Sequence, residues 1–311
     1  MRQRISSILL TLLSIAVVPI GSIVAADSPV VGIIVDLNAP TGCYQLNRDG
    51  KTVKEIDVLM PLNENDKLSV ICPCEEKGKA AKAQETFITL QLASGEKVLT
   101  CKDGTYVLKK EQPLSLLGNI VDFHKEWISS WFKGLHNSYY HARLTSLAVR
   151  GHDGRLFTPL VGHTRVNLAA GMRDLHLAWS GGVSPYALRI SNKKGVKPFV
   201  EMNGLKHGRV LLKGVTLDVG DYTLEIEDSR GQRLIRDFQT IPPEKVPRFP
   251  HQESSEMRSK TEKQLYETIY AAWLIEQDPL LWSLEAYQRV SKIASDFYPA
   301  ELLRLRLEGD I

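Results

Sequence analysis

Hydrophobic and polar residues alternate in short runs over the part of the chain that follows residue 29. Residues 30–35 form a β-branched run, and residues 87–92 place an aliphatic side chain at every second position. Alternation of this kind is typical of strands, and turn-forming Asn, Asp and Gly residues separate the runs. Short strands at near-regular spacing predict a small antiparallel β barrel or sandwich over residues 27–111.

The hydrophobic period lengthens after residue 112. Apolar residues recur every three or four positions from Leu117 to Leu135, which predicts an amphipathic helix, and a polar connector continues to residue 155. The helix carries Trp127 and Trp131. We expect these rings either to pack between two β domains or to dock a partner or a membrane surface.

Strand-like runs return over residues 156–243. About seven short runs, separated by turn-forming residues, fit one β-sandwich. Leu175, Leu177 and Trp179 share one face of their strand, so we expect Trp179 in the core. The Pro-rich residues 242–250 follow and predict a stiff linker.

Residues 256–307 have a helical period and many aromatic residues. We expect a helix over residues 256–276, a second that starts at Asp278 and Pro279 as N-cap and first helical residue, and a third that starts at Pro299. So short a helical unit cannot bury all its aromatic rings alone. Because the linker spaces the helices from the sandwich, we predict a contact surface for another molecule; packing onto the second β domain is the alternative. The residues predicted to bind a partner, here and on the amphipathic helix, are Trp127, Trp131, Tyr266, Tyr270, Trp273 and Trp282.

These patterns predict a mainly β fold with helices. It combines a small antiparallel barrel or sandwich, an amphipathic linker helix, a second sandwich and a C-terminal helical hairpin. The predicted segments are a signal peptide at 1–26, a first β domain at 27–111, a helix and connector at 112–155, a second β domain at 156–243, and a linker with helical tail at 244–311.

The first 26 residues predict export. Arg2 and Arg4 precede an uncharged apolar run, and Val24 and Ala26 are small residues just before Asp27. This is typical of a secretory signal peptide cleaved before Asp27. The alternative is an uncleaved anchor, since the run approaches the length that spans a bilayer. We expect a soluble mature chain in the periplasm or outside the cell.

The cysteines agree with an exported protein. All four, Cys43, Cys72, Cys74 and Cys101, fall within the first β domain, and an even number there indicates two disulfides. A bridge between Cys72 and Cys74 would be strained, so we expect each to pair with Cys43 or Cys101. A thiolate metal site is the alternative, but the C-x-C spacing is not that of structural zinc.

Charge excludes little beyond nucleic-acid binding. The chain has 39 Lys and Arg against 36 Asp and Glu, a net charge of +3. Basic residues are in excess over residues 112–243, which could attract an acidic partner. They form no dense stripe interleaved with aromatic residues, as a nucleic-acid surface would.

The first β domain resembles the FecR-type extracytoplasmic domains. The resemblance rests on residues 61–68, with Asn65 and Asp66 where that family typically has Gly-Asp, and on the alternating strand and turn at 88–96. Asn tolerates the left-handed conformation that the family's Gly adopts. The resemblance implies a β-rich periplasmic module for sensing, binding or assembly, without catalysis.

Two further resemblances concern the rest of the chain. Leu217, Gly220 and Tyr222 follow the L-x-x-G-x-Y pattern of the tyrosine corner in immunoglobulin-like and fibronectin-like sandwiches. There the Tyr hydroxyl reaches back to upstream backbone. Residues 271–274 with 285–288 resemble one tetratricopeptide-like helical hairpin, which would cap the neighbouring domain or bind another helix.

Candidate chemistry is sparse. The eight His residues show no H-x-x-x-H spacing, and no P-loop or dinucleotide-binding motif occurs. We therefore expect an exported non-enzymatic module of the cell envelope that binds, senses or assembles, with a protein partner and no cofactor or metal. The alternative is a periplasmic enzyme of an unrecognised family whose site lies between the two β domains.

Overall fold

The computed structural model describes residues 29–71, 86–109, 131–138, 154–162, 165–193, 195, 197–250 and 259–309. Over these residues the chain is mainly β with a C-terminal helical region, so the predicted fold class is confirmed. The predicted signal peptide, most of the amphipathic helix, and Cys72, Cys74 and Trp127 lie outside the described residues. No helix of the described part is long and apolar enough to cross a membrane.

The first β unit consists, in its described part, of two four-stranded sheets in the orders β4-β1-β6-β7 and β3-β2-β5-β8. They do not close into a barrel, so the sandwich alternative holds. Apolar side chains of β1 and β6 are buried in the core, and β1 is buried on both of its faces. The strands are β1 Val30–Leu37, β2 Tyr44–Arg48, β3 Lys51–Val53, β4 Pro61–Asn63, β5 Lys67–Val70, β6 Phe87–Leu92, β7 Gly95–Thr100 and β8 Thr105–Val107.

The turn between β4 and β5 adopts the conformation that the sequence predicts. Asn65 has a φ of 68°, and its N–H donates to the Leu108 carbonyl at 2.8 Å. The Asp66 carboxylate is buried, accepts from the Asn63 N–H at 2.8 Å, and pairs with the Arg48 guanidinium at 2.7 Å. One carboxylate therefore ties β2 to the β4–β5 turn.

Two cysteines of the first unit are described. Both Cys43 and Cys101 are disulfide-bonded. Cys43 is opposite the end of β5, because its carbonyl accepts from the Ile71 N–H at 2.8 Å. Cys101 begins a 3-10 turn, Cys101–Asp103, that also contacts β5. The pairing with Cys72 and Cys74 stays a prediction.

We expect a non-reduced peptide map of the exported protein to show Cys72 and Cys74 in different bridges. Cys72 directly follows Ile71, whose N–H bonds to the Cys43 carbonyl. Because β5 also contacts the turn that Cys101 begins, we expect the short segment after β5 to reach both cysteines. Replacing one bridge by two Ala residues should lower the free energy of unfolding by about 2–4 kcal/mol. A Cys72–Cys74 link, or four free thiols, would contradict the prediction.

The second β unit has a five-stranded sheet, β12-β11-β14-β15-β9, and a two-stranded sheet, β10-β13, over its described residues. Strand β9 runs parallel to β15 and the other neighbours are antiparallel. Trp179 is buried with Leu175 and Leu177 in the core, as predicted. The strands are β9 Val166–Ala169, β10 Gly171–Ala178, β11 Tyr186–Asn192, β12 Val200–Leu205, β13 Arg209–Leu217, β14 Gly220–Glu227 and β15 Arg233–Ile241.

The predicted tyrosine corner is confirmed in its geometry. Tyr222 is buried at the start of β14, and its hydroxyl donates to the Asp218 carbonyl, four residues upstream, at 3.0 Å. Its ring stacks on Phe238 of β15 with the centroids 5.3 Å apart. The residue thus fixes the crossover from β13 to β14.

Tyr222→Phe is expected to lower the free energy of unfolding by about 0.5–1.5 kcal/mol, because the ring keeps its packing while the hydroxyl bond is lost. Urea unfolding followed by circular dichroism measures this. Tyr186→Phe is a matched control, since the Tyr186 hydroxyl also donates to a backbone carbonyl, that of Gly181, at 3.0 Å. An unchanged stability together with lost partner binding would place Tyr222 in a site instead.

Three helices end the described chain: α1 Lys260–Gln277, α2 Pro279–Ser291 and α3 Tyr298–Glu308. Ser259 and Glu262 form a capping box that starts α1. The predicted N-cap of α2 is confirmed, because the Asp278 carboxylate accepts from the N–H groups of Leu280 and Leu281. Local sequence signals therefore set the helix starts.

The position of the helices corrects one expectation. The Pro-rich segment does not space them from the β units: Phe249 packs against the rings of Tyr266 and Tyr270, and the Tyr270 hydroxyl donates to the Pro247 carbonyl at 2.6 Å. Helix α1 shares one apolar cluster with the first β unit, whereas α2 packs against β9 and β10 of the second.

Burial removes three of the predicted partner-binding residues from the surface. Tyr266, Tyr270 and Trp282 are 5%, 9% and 6% exposed. They are buried among the chain's own residues, which favours the alternative of packing within the chain at these positions. Trp273 is partly buried against the same core. The physical reason is that the two β units supply apolar surface against which the aromatic rings of the helices pack.

Residues 131–138 also dock within the chain. The Trp131 indole N–H donates to Glu276 at 2.8 Å, and the Arg306 guanidinium lies over its ring at 4.6 Å. Buried His136 lies 2.7 Å from both the Ala39 carbonyl and the Tyr298 hydroxyl. Trp131 therefore packs on the C-terminal helices rather than between two β domains.

Candidate functional site

A side chain of helix α2 hydrogen-bonds to the backbone of β10, an edge strand of the second β unit. The Gln288 amide oxygen accepts from the His176 N–H at 2.8 Å, and the amide nitrogen donates to the His176 carbonyl at 2.8 Å. Gln288 is fully buried. It satisfies the outer edge of β10 as a neighbouring strand would, which protects an edge that could otherwise pair with another chain.

A buried ion pair holds the same helix against the sandwich. Glu285 accepts from the Arg173 guanidinium at 2.9 Å and from the Ala169 N–H at 3.1 Å. The side chains of Arg173 and Glu285 are only 11% and 4% exposed. The Ser283 hydroxyl adds a bond to the Leu160 carbonyl at 3.0 Å. Glu285 and Gln288 therefore fix the position of α2 on β9 and β10, and Ser283 ties the helix to the segment that precedes β9.

Glu308, at the end of α3, joins three elements. One carboxylate oxygen accepts from the Tyr287 hydroxyl at 2.6 Å and from Arg304 at 2.8 Å. The other accepts two bonds from Arg209 of β13, one from Nε at 2.8 Å and one from Nη2. Burial raises the pKa of Tyr287 well above its usual range, and the Glu308 charge adds to this. Four hydrogen bonds use the whole acceptor capacity of this carboxylate.

These contacts leave a cleft between strands β10 and β13 and helices α2 and α3. Its volume is about 430 Å³. His176, Arg209 and Leu211 line it from the sheet, and Ser291 and Arg304 line it from the helices. The strand and helix walls belong to elements that the bonds of Gln288, Glu285 and Glu308 hold in place, and Ala294 and Ser295 line the cleft from the segment between α2 and α3.

The lining of the cleft presents hydrogen-bond donors and positively charged guanidinium groups to a ligand. Burial lowers the pKa of His176, and the positive charges of Lys292, Arg173 and Arg304 lower it further, while Asp174 opposes them. Its imidazole is therefore neutral at pH 7. The Arg209 side chain is 48% exposed, although its partner Glu308 is covered. A ligand that enters the cleft meets guanidinium groups rather than the carboxylate that pairs with them.

Sequence reasoning did not find this cleft. Glu285 and Gln288 attracted notice only as part of a helical hairpin motif, and His176, Arg209 and Arg304 not at all. Their spacing carries no motif, since β10, β13, α2 and α3 meet only in the folded chain. Within the described residues, no group of three or more His, Cys, Asp or Glu is arranged to hold a metal ion.

Comparison with known proteins adds little. No protein-family model matches the chain, and no curated protein matches it. A solved structure, that of CopC from Methylosinus trichosporium OB3b, is similar at 25% sequence identity over 27% of this chain and 89% of that chain, with a TM-score of 0.21. With so low a TM-score, the likeness supports no conclusion about the fold or ligand of this chain.

Proposed function

We propose that this chain is an exported, non-enzymatic binding or assembly module of the cell envelope that takes its partner in the cleft between the second β unit and helices α2 and α3. The observation that carries the proposal is the cleft itself, about 430 Å³ in volume. Sites of this size commonly hold a ligand or an inserted side chain when a few fixed polar groups line them.

The architecture supports a role in assembly because the helices join both β units. Helix α2 contacts β9 and β10 of the second unit, and α3 contacts β1 of the first. Leu307 of α3 packs against the apolar clusters of both units. A partner seated in the cleft would thus contact the element that couples the two β units.

The enzyme alternative places its site between the two β domains. In the described residues, helices α1–α3 contact both units there, and their apolar side chains complete the core. The cleft is lined instead by β10 and β13 of the second unit and by helices α2 and α3. Its lining suits binding by hydrogen bonds and charge, which favours the binding module.

Blocking the cleft tests the proposal. Ser295 is exposed and lines the cleft, so Ser295→Trp should fill it without disturbing the core. We expect a cross-linked pull-down from the native envelope fraction to lose its main partner with Ser295→Trp. Ala93→Trp, an exposed turn position of the first unit, serves as control and should keep that partner. Equal recovery of every partner by both variants and the unaltered protein would overturn the proposal.

A further inference from the structure

We propose that the group recognised in this cleft is an oxyanion, a carboxylate or a phosphate carried by the partner or ligand. This inference rests on the proposed function and names the chemistry of the same site. Glu308 cannot serve as an acceptor for a ligand, because Tyr287, Arg304 and Arg209 already occupy both of its oxygens. The charged groups that remain at this end of the cleft are the Arg209 and Arg304 guanidinium groups, which only donate, and the Ser291 hydroxyl beside them can donate as well.

Two guanidinium groups converge on that end. Arg209 comes from β13 and Arg304 from α3, and a single carboxylate separates them. Their combined charge exceeds that of Glu308 by one unit. Planar guanidinium groups bind carboxylate and phosphate oxygens in paired hydrogen bonds, and the half-exposed Arg209 is accessible for such a contact.

A buried hydroxyl in the cleft lining points to the same chemistry. The Ser291 Oγ is buried and has no hydrogen-bond partner among the described residues. Ser291 lowers the pKa of the neighbouring Tyr287 phenol, whose oxygen is an available acceptor, but the two groups do not reach hydrogen-bond geometry. A buried polar group without a partner requires an explanation, and an oxygen acceptor on the ligand would provide one.

Glu301 also lines the cleft, and its carboxylate takes no part in the hydrogen bonds of Glu308 described above. Its charge also reaches the first β unit, because burial, together with the charges of Glu96 and Glu301, raises the pKa of Asp36 in β1 to about 6. Glu301 precedes Arg304 by one turn of α3. Because the Glu301 carboxylate would repel an anion, we place the oxyanion at the end of the cleft where Arg209, Ser291 and Arg304 lie.

Titration of the full mature chain with inorganic phosphate and, separately, with citrate tests the proposal. The readout is the imidazole NMR signal of His176, which lines the cleft. We expect saturable binding of at least one anion with a dissociation constant in the millimolar range. Tighter binding of phosphate would identify a phosphate group as the natural oxyanion, and tighter binding of citrate would identify a carboxylate. Arg209→Gln should weaken it about tenfold, as expected for the loss of one charged hydrogen-bonding group.

Arg165→Gln is the matched control. Arg165 forms an exposed ion pair with Asp221, so the variant removes the same charge elsewhere and should leave the affinity unchanged. Ser291→Ala provides a second variant that removes no ion pair, and it should weaken binding about threefold while the melting temperature holds. No saturable binding of either anion, or equal affinity in Arg209→Gln, would overturn the inference. Loss of the partner with Ser295→Trp in that case would leave the cleft as a binding site of other chemistry.

Discussion

Deletion of residues 251–311 is expected to unfold or aggregate the protein rather than release two stable β units. Helices α1 and α3 supply buried residues to the cluster that forms the core of the first β unit, among them Leu265, Ile269 and Leu303. Helix α2 adds Leu284 and Tyr287 to the core of the second unit. Without the helices, both cores face water.

The magnitude follows from the number of side chains involved. Each large apolar side chain that becomes exposed costs about 1.5–3 kcal/mol, and a native domain is stable by only about 5–15 kcal/mol. A few such residues exceed that margin. Size-exclusion chromatography and thermal circular dichroism measure the outcome, and a monomeric truncated chain with an unchanged melting temperature would show that the helices are a separate binding surface.

Two point variants of the same helices refine this test. Leu265→Ala removes a fully buried side chain and should lower the free energy of unfolding by about 2–5 kcal/mol. Leu280→Ala alters a residue that is 61% exposed and should change it by about 0.5 kcal/mol or less. Similar effects in both variants would contradict the burial that the structure describes.

Features that depend on a few neighbouring residues could be predicted from the sequence. The N-cap Asp278 and the corner residue Tyr222 have hydrogen-bond partners within four residues, and the left-handed Asn65 follows from intrinsic backbone preference. The strand pattern of both β units is of the same kind, because alternation reports which side chains face a core.

The placement of the helices could not be predicted in this way. An apolar, aromatic helix face has the same pattern whether it packs against its own chain or against another protein. The polar residues Glu285 and Gln288 look like surface positions, yet they are buried because β9 and β10 supply their partners 112–116 residues away. Only the tertiary structure brings those partners together, and the cleft depends on the same long-range contacts.

Glu285→Ala is expected to be among the most destabilising single substitutions in the chain. It removes the carboxylate that neutralises Arg173, whose side chain is only 11% exposed, and leaves the Ala169 N–H without its acceptor. Breaking a buried ion pair by removing one partner costs about 3–5 kcal/mol, because the remaining charge is buried without compensation. The expected loss in the free energy of unfolding is of that size.

Two controls separate the buried charge from other effects. Glu285→Gln keeps the side-chain volume and one acceptor oxygen, so it should cost less than Glu285→Ala while still leaving Arg173 uncompensated. Asp221→Ala breaks the ion pair with Arg165, whose side chains are 55% and 39% exposed, and should cost about 0–1 kcal/mol. Urea unfolding at pH 7 measures all three variants. If Glu285→Ala were no more destabilising than Asp221→Ala, helix α2 would not be anchored to the second β unit as the structure describes, and the cleft would lose one of its fixed walls.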